Sequence, residues 1–276
     1  MGPVALSIAG SDSSGGAGIQ ADLKTFSAFG VFGATAIAAL TAQNTRGVSG
    51  VHAVPAAFLI EQIDRVAEDL DVRAVKTGML ATAEIVTVVA DAVAMHRKFG
   101  RLGPLVVDPV MVATSGDVLL AADAITAVRT RLIPLAALVT PNLEEAAKLL
   151  DCPVAASVAD MRAQAQEIVA RFGAEAVLVK GGHGFGPEAI DVLAHGDSVF
   201  DLALPRLSTG PLHGTGCTLS AATAALLALG VPVGDAVARA KRYLWDAIRS
   251  SQEGSVGHGA QPVDHLFAIR RGGLPA

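Results

Sequence analysis

Val4-Ala-Leu-Ser-Ile-Ala9 runs into Gly10-Ser-Asp-Ser-Ser-Gly-Gly-Ala-Gly18, after which Ile19, Leu23, Phe26 and Phe29 recur at helical spacing. An apolar run, a glycine-rich polar loop and an amphipathic run predict a buried strand, a turn and a helix that Gly30 ends. This unit decides the fold class, because the same alternation continues along the chain. Further strands are expected at Ala34–Ala42, Ala74–Thr77, Leu105–Val107, Ala137–Thr140 and Ala176–Lys180. A loop with two glycines follows Ala42. Helices are expected at Pro55–Leu70, Thr82–Phe99, Ala121–Leu132, Glu144–Leu150, Val158–Phe172, Thr218–Leu229 and Val233–Ser250. Pro55 suits a helix start, and Thr82 is a side-chain cap with Glu84 in the first turn. Ile190–Ala194 and Ser198–Leu204 flank His195-Gly196-Asp197, which reads as a hairpin turn. Repeated strand–helix units favour an α/β fold with a mostly parallel central sheet, helices on both faces and a short antiparallel hairpin. No linker or internal repeat divides it, so residues 1–276 read as one domain.

Composition narrows the function classes. The chain is 51% hydrophobic but only 4% aromatic, so alanine, valine and leucine pack its core. The net charge of −5, with no Lys/Arg run beyond two residues, argues against a nucleic-acid partner. Two cysteines make no disulfide framework and fit a reducing compartment. Leu219–Val231, the longest nearly apolar run, is too short to cross a bilayer, and no signal segment opens the chain. A cytoplasmic protein without a membrane partner is expected.

Ligands of open α/β sheets sit beyond the C-terminal strand ends. There the sequence places Gly10–Gly18, Gln43-Asn44, Thr77-Gly78-Met79, Asp108, Asn142 and Lys180-Gly181-Gly182. The first loop fails as a phosphate site on two counts. Gly10-Ser-Asp-Ser-Ser-Gly15 has the opening spacing of a Walker A loop, but Gly16 stands where the lysine belongs. Gly16-Ala-Gly18-Ile-Gln-Ala21 matches a dinucleotide fingerprint, yet no acidic residue lies between Asp22 and Glu61 to hold a ribose. His213-Gly-Thr-Gly-Cys-Thr-Leu-Ser220 is better suited. Its glycines turn the backbone at a helix start, whose bare N–H groups and dipole favour an anion, and Cys217 falls where a thiolate is stabilised. Asn142 and Glu145 can share one face of a helix start, as ligands of a hydrated Mg²⁺ or as a capping box. Lys180 can reach phosphate or lie at the surface.

Taken together, these segments resemble the bacterial hydroxymethylpyrimidine/phosphomethylpyrimidine kinases of thiamine biosynthesis, in the ribokinase-like superfamily. The resemblance rests on Ile8–Phe26, Thr41–Thr45, Lys76–Leu80, Val107–Met111, Thr140–Ala146, Val179–His183 and His213–Ser220, in family order over nearly the whole chain. It implies a ribokinase-like three-layer sandwich and ATP-dependent phosphorylation of 4-amino-5-hydroxymethyl-2-methylpyrimidine and then of its monophosphate. It also implies residue roles. Asp22 and Gln43 would hydrogen-bond the pyrimidine, with Gly10 and Met79 lining its pocket. Gly214, Thr215, Gly216 and Cys217 would form an anion hole, with Cys217 the base. Lys180 and Asn142 would serve ATP, and Asp108 and Glu145 would serve Mg²⁺, partly through water. A homodimer is also implied. The family's tail often reads Gly-Lys-Gly-x-Gly-Pro, where this chain has Gly257-His-Gly-Ala-Gln-Pro262, and Gly184–Pro187, where the resemblance implies a cover over the nucleotide, is short. Pyridoxal kinases are the rival reading, alone or as a second activity.

Overall fold

The computed structural model describes residues 2–111, 122–182, 184 and 186–270. Its strands are β1 (Val4–Gly10), β2 (Phe32–Asn44), β3 (Gly47–Ala53), β4 (Val72–Thr77), β5 (Leu105–Val107), β6 (Ala136–Val139), β7 (Ala176–Val179), β8 (Glu188–His195), β9 (Ser198–Pro205), β10 (Leu212–His213) and β11 (Gln261–Pro262). Its helices are α1 (Gly18–Ala28), α2 (Ala56–Asp69), α3 (Ala83–Lys98), α4 (Ala122–Ala127), α5 (Leu143–Leu150), α6 (Val158–Phe172), α7 (Thr215–Ala228), α8 (Val233–Ser251) and α9 (Phe267–Arg270).

One sheet runs in the order β3-β2-β1-β4-β5-β6-β7-β8-β9. The six strands from β2 to β7 are parallel, and antiparallel β3 and β8–β9 close the two edges. The expected elements fall close to their expected places. Thr82 caps α3 by accepting a hydrogen bond from Ile85 N–H at 3.2 Å. The helix expected at Ala121–Leu132 is α4 continued by a wider π turn over Val128–Leu132; Ala121 lies outside the described residues. The glycine loop expected after Ala42 is a correction. There β2 continues to Asn44 and returns as β3 in an antiparallel pair. Most of β3 is exposed, so it lacks the apolar run that marks a buried strand.

Strand side chains alternate between faces, and two cores follow from that. Leu6, Ile8, Val75, Val107, Val139 and Val177 pack towards α2, α3, α5 and α6. Ala5, Ala74, Val106, Leu138 and Leu178 pack on the other face, towards α1, α7 and α8. Two residues beyond each of these second-face residues stand Ser7, Lys76, Asp108, Thr140 and Lys180. The pleat therefore sends five polar side chains to one face, at the C-terminal strand ends, under α1 and α7. Backbone bonds carry the ladder past the strand ends, from Asp108 N–H to Thr77 O at 3.0 Å and from Lys180 N–H to Pro141 O at 2.8 Å.

Candidate active site

The start of α7 is held by close backbone approach. Gly214 caps the helix in the left-handed region at φ 79°, ψ 10°. A Cβ there would lie 1.9 Å from Gly16 O, so glycine is required twice over. Thr218 Oγ1 donates to Gly214 O at 2.8 Å, which leaves it to accept from His265 Nε2–H at 3.0 Å and fixes the tautomer of that buried histidine. Burial holds His265 down at about 4, so it is neutral near pH 7.

Beneath α7 lies a charged cluster. Asp108 accepts from Lys180 Nζ at 3.0 Å and from Ser220 Oγ at 3.2 Å. Lys180 Nζ is 3.8 Å from Glu145 Oε2 and would lie 3.2 Å from a Cβ on Gly216. The sheet and the helix start thus bring Asp108, Glu145, Lys180 and Gly216 together. Burial opposes the Lys180 charge, but Asp108 and Glu145 outweigh it and raise its pKa. Burial pushes the Glu145 carboxyl up to about 7 against the pull of Lys180. Asn142 and Glu145 form a capping box: Asn142 Oδ1 accepts from Glu145 N–H at 2.8 Å, and Glu145 Oε2 accepts from Asn142 N–H at 2.7 Å. That side-chain oxygen of Asn142 is therefore committed to the helix, and its amide N–H₂ is the group it can offer a phosphate. Among the described residues no group of three His, Cys, Asp or Glu side chains forms a metal-binding cluster. Two oxygen donors, Asp108 and Glu145, suit a Mg²⁺ that keeps most of its ligands as water and phosphate oxygens.

Cys217, in the first turn of α7, is partly exposed. Burial of its surroundings pushes the thiol up to about 11; Lys76 and a hydrogen bond from Gly18 N–H pull the other way, and Asp108 and Asp22 add to the rise. The sequence-based expectation of a stabilised thiolate is corrected here, because desolvation outweighs placement at a helix start.

The expected pyrimidine residues divide. Gly10 and Met79 meet: Gly10 N–H donates to Met79 O at 3.1 Å, and a Cβ on Gly10 would lie 2.4 Å from Met79 Cε. Gln43 borders an open cleft of about 690 Å³, with Ser13 and Arg46 also on its wall. Asp22 is different. It has no exposed surface, and its oxygens accept from Lys76 Nζ at 2.9 and 3.0 Å and from Ser7 Oγ at 2.5 Å. Direct contact with a ligand would require that ion pair to open. Burial opposes the Lys76 charge, but Asp22 more than offsets it and keeps the ammonium charged.

A family model described as phosphomethylpyrimidine kinase matches residues 12–264. The chain belongs to that family. It is a phosphotransferase with the ribokinase-like, three-layer fold. It is 54% identical over 266 residues to a hydroxymethylpyrimidine/phosphomethylpyrimidine kinase of Rhizobium meliloti, covering 96% of this chain and 98% of that one. The Escherichia coli protein of the same name is 45% identical, covering 96% and 97%. Among solved structures, a Bacillus subtilis pyridoxal kinase in complex with ADP superposes with a TM-score of 0.89 at 36% identity, covering 98% and 99%. A Clostridium difficile phosphomethylpyrimidine kinase gives 0.78 at 41%, covering 89% and 99%.

Several residues that the structure of this kinase brings beside the candidate site were not singled out from its sequence. Lys76 is one, though it carried a signal: a lysine inside a buried strand needs a partner. Asp12 and His213 are others. Burial alone would raise the Asp12 carboxyl, but bonds from His213, Ser14 and Ala17 hold it at about 2. His213 Nε2 lies 2.9 Å from Asp12 Oδ2 and 3.1 Å from the Gln43 side-chain amide. The altered tail has a place of its own. Gly259 N–H donates to Thr45 Oγ1 at 3.1 Å, Ala260 N–H donates to Thr45 O at 2.7 Å, and β11 pairs with β10 beside His213. Arg206 braces the turn before β8 by donating to Gly186 O at 2.9 Å and Glu188 O at 2.8 Å. His183, in the matched segment before it, lies outside the described residues.

Proposed function

We propose that this kinase transfers the γ-phosphoryl group of ATP to the hydroxymethyl oxygen of 4-amino-5-hydroxymethyl-2-methylpyrimidine, and then to the resulting monophosphate, in thiamine biosynthesis. The observation that carries the reading is the glycine-built start of α7 facing Lys180 and Asp108, with Cys217 in its first turn. Backbone N–H groups of Gly214, Thr215, Gly216 and Cys217 form the anion hole, and Lys180 and the Asn142 amide meet the phosphates. Asp108 and Glu145 would hold Mg²⁺, which would offset phosphate charge. Gly10, Met79 and Gln43 hold the ring. Asp22 acts through Lys76 rather than by touching the ring.

The substrate hydroxyl proton passes to the Cys217 sulfur. With a thiol near 11, about one molecule in ten thousand carries the thiolate at pH 7. Lys76 and Gly18 N–H are the groups that favour that form. Positioning and electrostatics supply most of the remaining rate of phosphoryl transfer.

The protein works in the cytoplasm, as a homodimer. Exposed Leu40, Val51 and Phe58 on β2, β3 and α2 support the dimer, and sedimentation analysis tests it. Among the described residues no helix is long and apolar enough to cross a membrane. Pyridoxal phosphorylation is a second activity, favoured by the TM-score of 0.89 to the B. subtilis pyridoxal kinase. A coupled ATPase assay with hydroxymethylpyrimidine, its monophosphate and pyridoxal tests the proposal. Turnover should depend on the pyrimidine, and much faster turnover of pyridoxal would overturn the substrate assignment.

A further inference from the structure

Gln43 sits in a hydrogen-bond network that fixes which end of its side-chain amide donates and which accepts. Asp12 is held ionised and is an acceptor only. Its Oδ1 accepts from Ser14 N–H at 2.8 Å and Ser14 Oγ at 2.7 Å, and its Oδ2 accepts from Gly16 N–H at 3.0 Å and Ala17 N–H at 2.8 Å. A histidine nitrogen 2.9 Å from that Oδ2 must carry a hydrogen, so His213 Nε2 is a donor. The Gln43 atom 3.1 Å from the same nitrogen cannot then be a second donor. The amide's oxygen belongs there, sharing the one Nε2 hydrogen with Asp12 Oδ2 as the longer arm of a bifurcated bond, and its nitrogen belongs on the other side.

The other side agrees independently. Thr41 Oγ1, 3.2 Å from that end of the Gln43 amide, gives its only hydrogen to Ser11 O at 2.8 Å. It can therefore only accept, and an amide N–H₂ supplies the donor. The Gln43 main chain is pinned as well, since its N–H donates to Ser13 Oγ at 2.9 Å. One amide hydrogen goes to Thr41, and the second remains for a ligand.

We infer that His213, oriented by Asp12, is a specificity-determining positioning residue. Its Nε2–H, shared between Asp12 and the Gln43 carbonyl oxygen, excludes the flipped amide and so presents an amide N–H donor to an acceptor nitrogen of the substrate ring. This rests on the proposed function, in which Gln43 reads the pyrimidine. His213 also directly precedes Gly214, and a Cβ on Gly16 would lie 2.7 Å from its ring. The residue that sets ring recognition therefore abuts the anion hole, and a loop shared by both holds it.

The test uses the kinase, three single variants and one double variant. His213→Phe keeps a ring but removes the donor; His213→Gln restores a donor; Gln43→Ala removes the reader. A positioned neutral hydrogen bond is worth about tenfold in affinity at most. His213→Phe should raise KM for hydroxymethylpyrimidine about five- to tenfold while KM for ATP stays within twofold. His213→Gln should recover most of that loss, and adding His213→Phe to Gln43→Ala should cost little more. A pyridine analogue with CH in place of the acceptor nitrogen should be discriminated against by the wild type and much less by His213→Phe. The inference is overturned if KM for the pyrimidine is unchanged in His213→Phe. It is also overturned if KM for ATP rises equally, or if His213→Gln is no better than His213→Phe. Wild-type kinase that consumes no ATP with the pyrimidine would instead overturn the proposed function itself.

Discussion

Replacing Lys76 with methionine removes one charge from a pair in which neither side chain has any exposed surface. The ammonium contacts both Asp22 oxygens, at 3.0 and 2.9 Å. Without it, Ser7 Oγ at 2.5 Å is the remaining side-chain donor to a carboxylate packed under α7. Breaking a buried pair from one side costs about 3–5 kcal/mol, because the other charge stays desolvated. For a domain of this size each kcal/mol moves Tm by about 2–4 °C, so Lys76→Met should lower Tm by about 6–20 °C. Thermal unfolding followed by circular dichroism at pH 7.5 measures it. The double variant Lys76→Met/Asp22→Asn removes both charges, and apolar or neutral replacement of a whole pair is close to neutral. Most of the lost Tm should return.

Turnover should not return with it. Lys76 is the side chain that pulls the Cys217 thiol down against burial; both variants lose that charge, and the loss of Asp22, a smaller opposing influence, offsets only part of it in the double variant. The double variant should be stable yet slow at pH 7.5, and it should recover as pH rises. A Tm for Lys76→Met within 2 °C of wild type, or a double variant no more stable than the single, would refute the reasoning on the pair. Full turnover in the stable double variant would refute the link to Cys217.

Cys217→Ala should lower kcat about 10²–10⁴-fold and change pyrimidine affinity by less than threefold; equal losses in both would remove Cys217 as base. In the wild type, kcat/KM should rise nearly tenfold per pH unit between 7 and 9, because the thiol lies near 11; a plateau in that range would identify another base. His265 titrates at about 4 in the folded chain against an ordinary 6.5. The unfolded chain binds that proton first, so its contribution is complete above pH 6.5 and is lost as pH falls through 4, about 3 kcal/mol in all. His265→Gln should flatten the fall of Tm over that window, and an unchanged slope would refute the assignment. Gly214→Ala should cost well over 1 kcal/mol and most of kcat, since φ is 79° and the new methyl would meet Gly16 O at 1.9 Å; near-normal turnover would show that the loop yields.

The sheet was legible because parallel strands buried on both faces leave apolar runs. Leu105–Val107 was read to the residue, and α6 likewise. What escaped was structure without that signal. β3 is mostly exposed, and its residues Gly47 to Ala53 carry no run to read. The site divides along a similar line. Asn142 and Glu145 lie three residues apart, so their capping box was one of two open readings of the sequence, and the structure contains it. Asp12 and His213 are 201 positions apart, and no local pattern joins them until β1 and α7 bring Gly16 and Gly214 into contact. Lys76 was legible in principle. An ammonium in a strand whose neighbours are Val75 and Thr77 must find a carboxylate on the same face, and pleat parity selects the face shared with Ala5 and Ala74, against which α1 carries Asp22.

Cys217 shows why the chemistry of a site is harder to read than its location. Its place in the first turn of a helix is local, and it favours a thiolate by a dipole that falls off within one turn. Its desolvation is global. It arises because α1 and α7 cover the strand ends, bringing Asp22 and Asp108 close enough to oppose a third negative charge. The same coverage buries Lys76, the one nearby cation that lowers the thiol most. The sequence could place a cysteine at an anion site, but the balance between burial and Lys76 belongs to the packed structure. On that balance, this kinase holds its proposed base protonated at neutral pH, and the rise of turnover with pH measures how nearly Lys76 offsets burial.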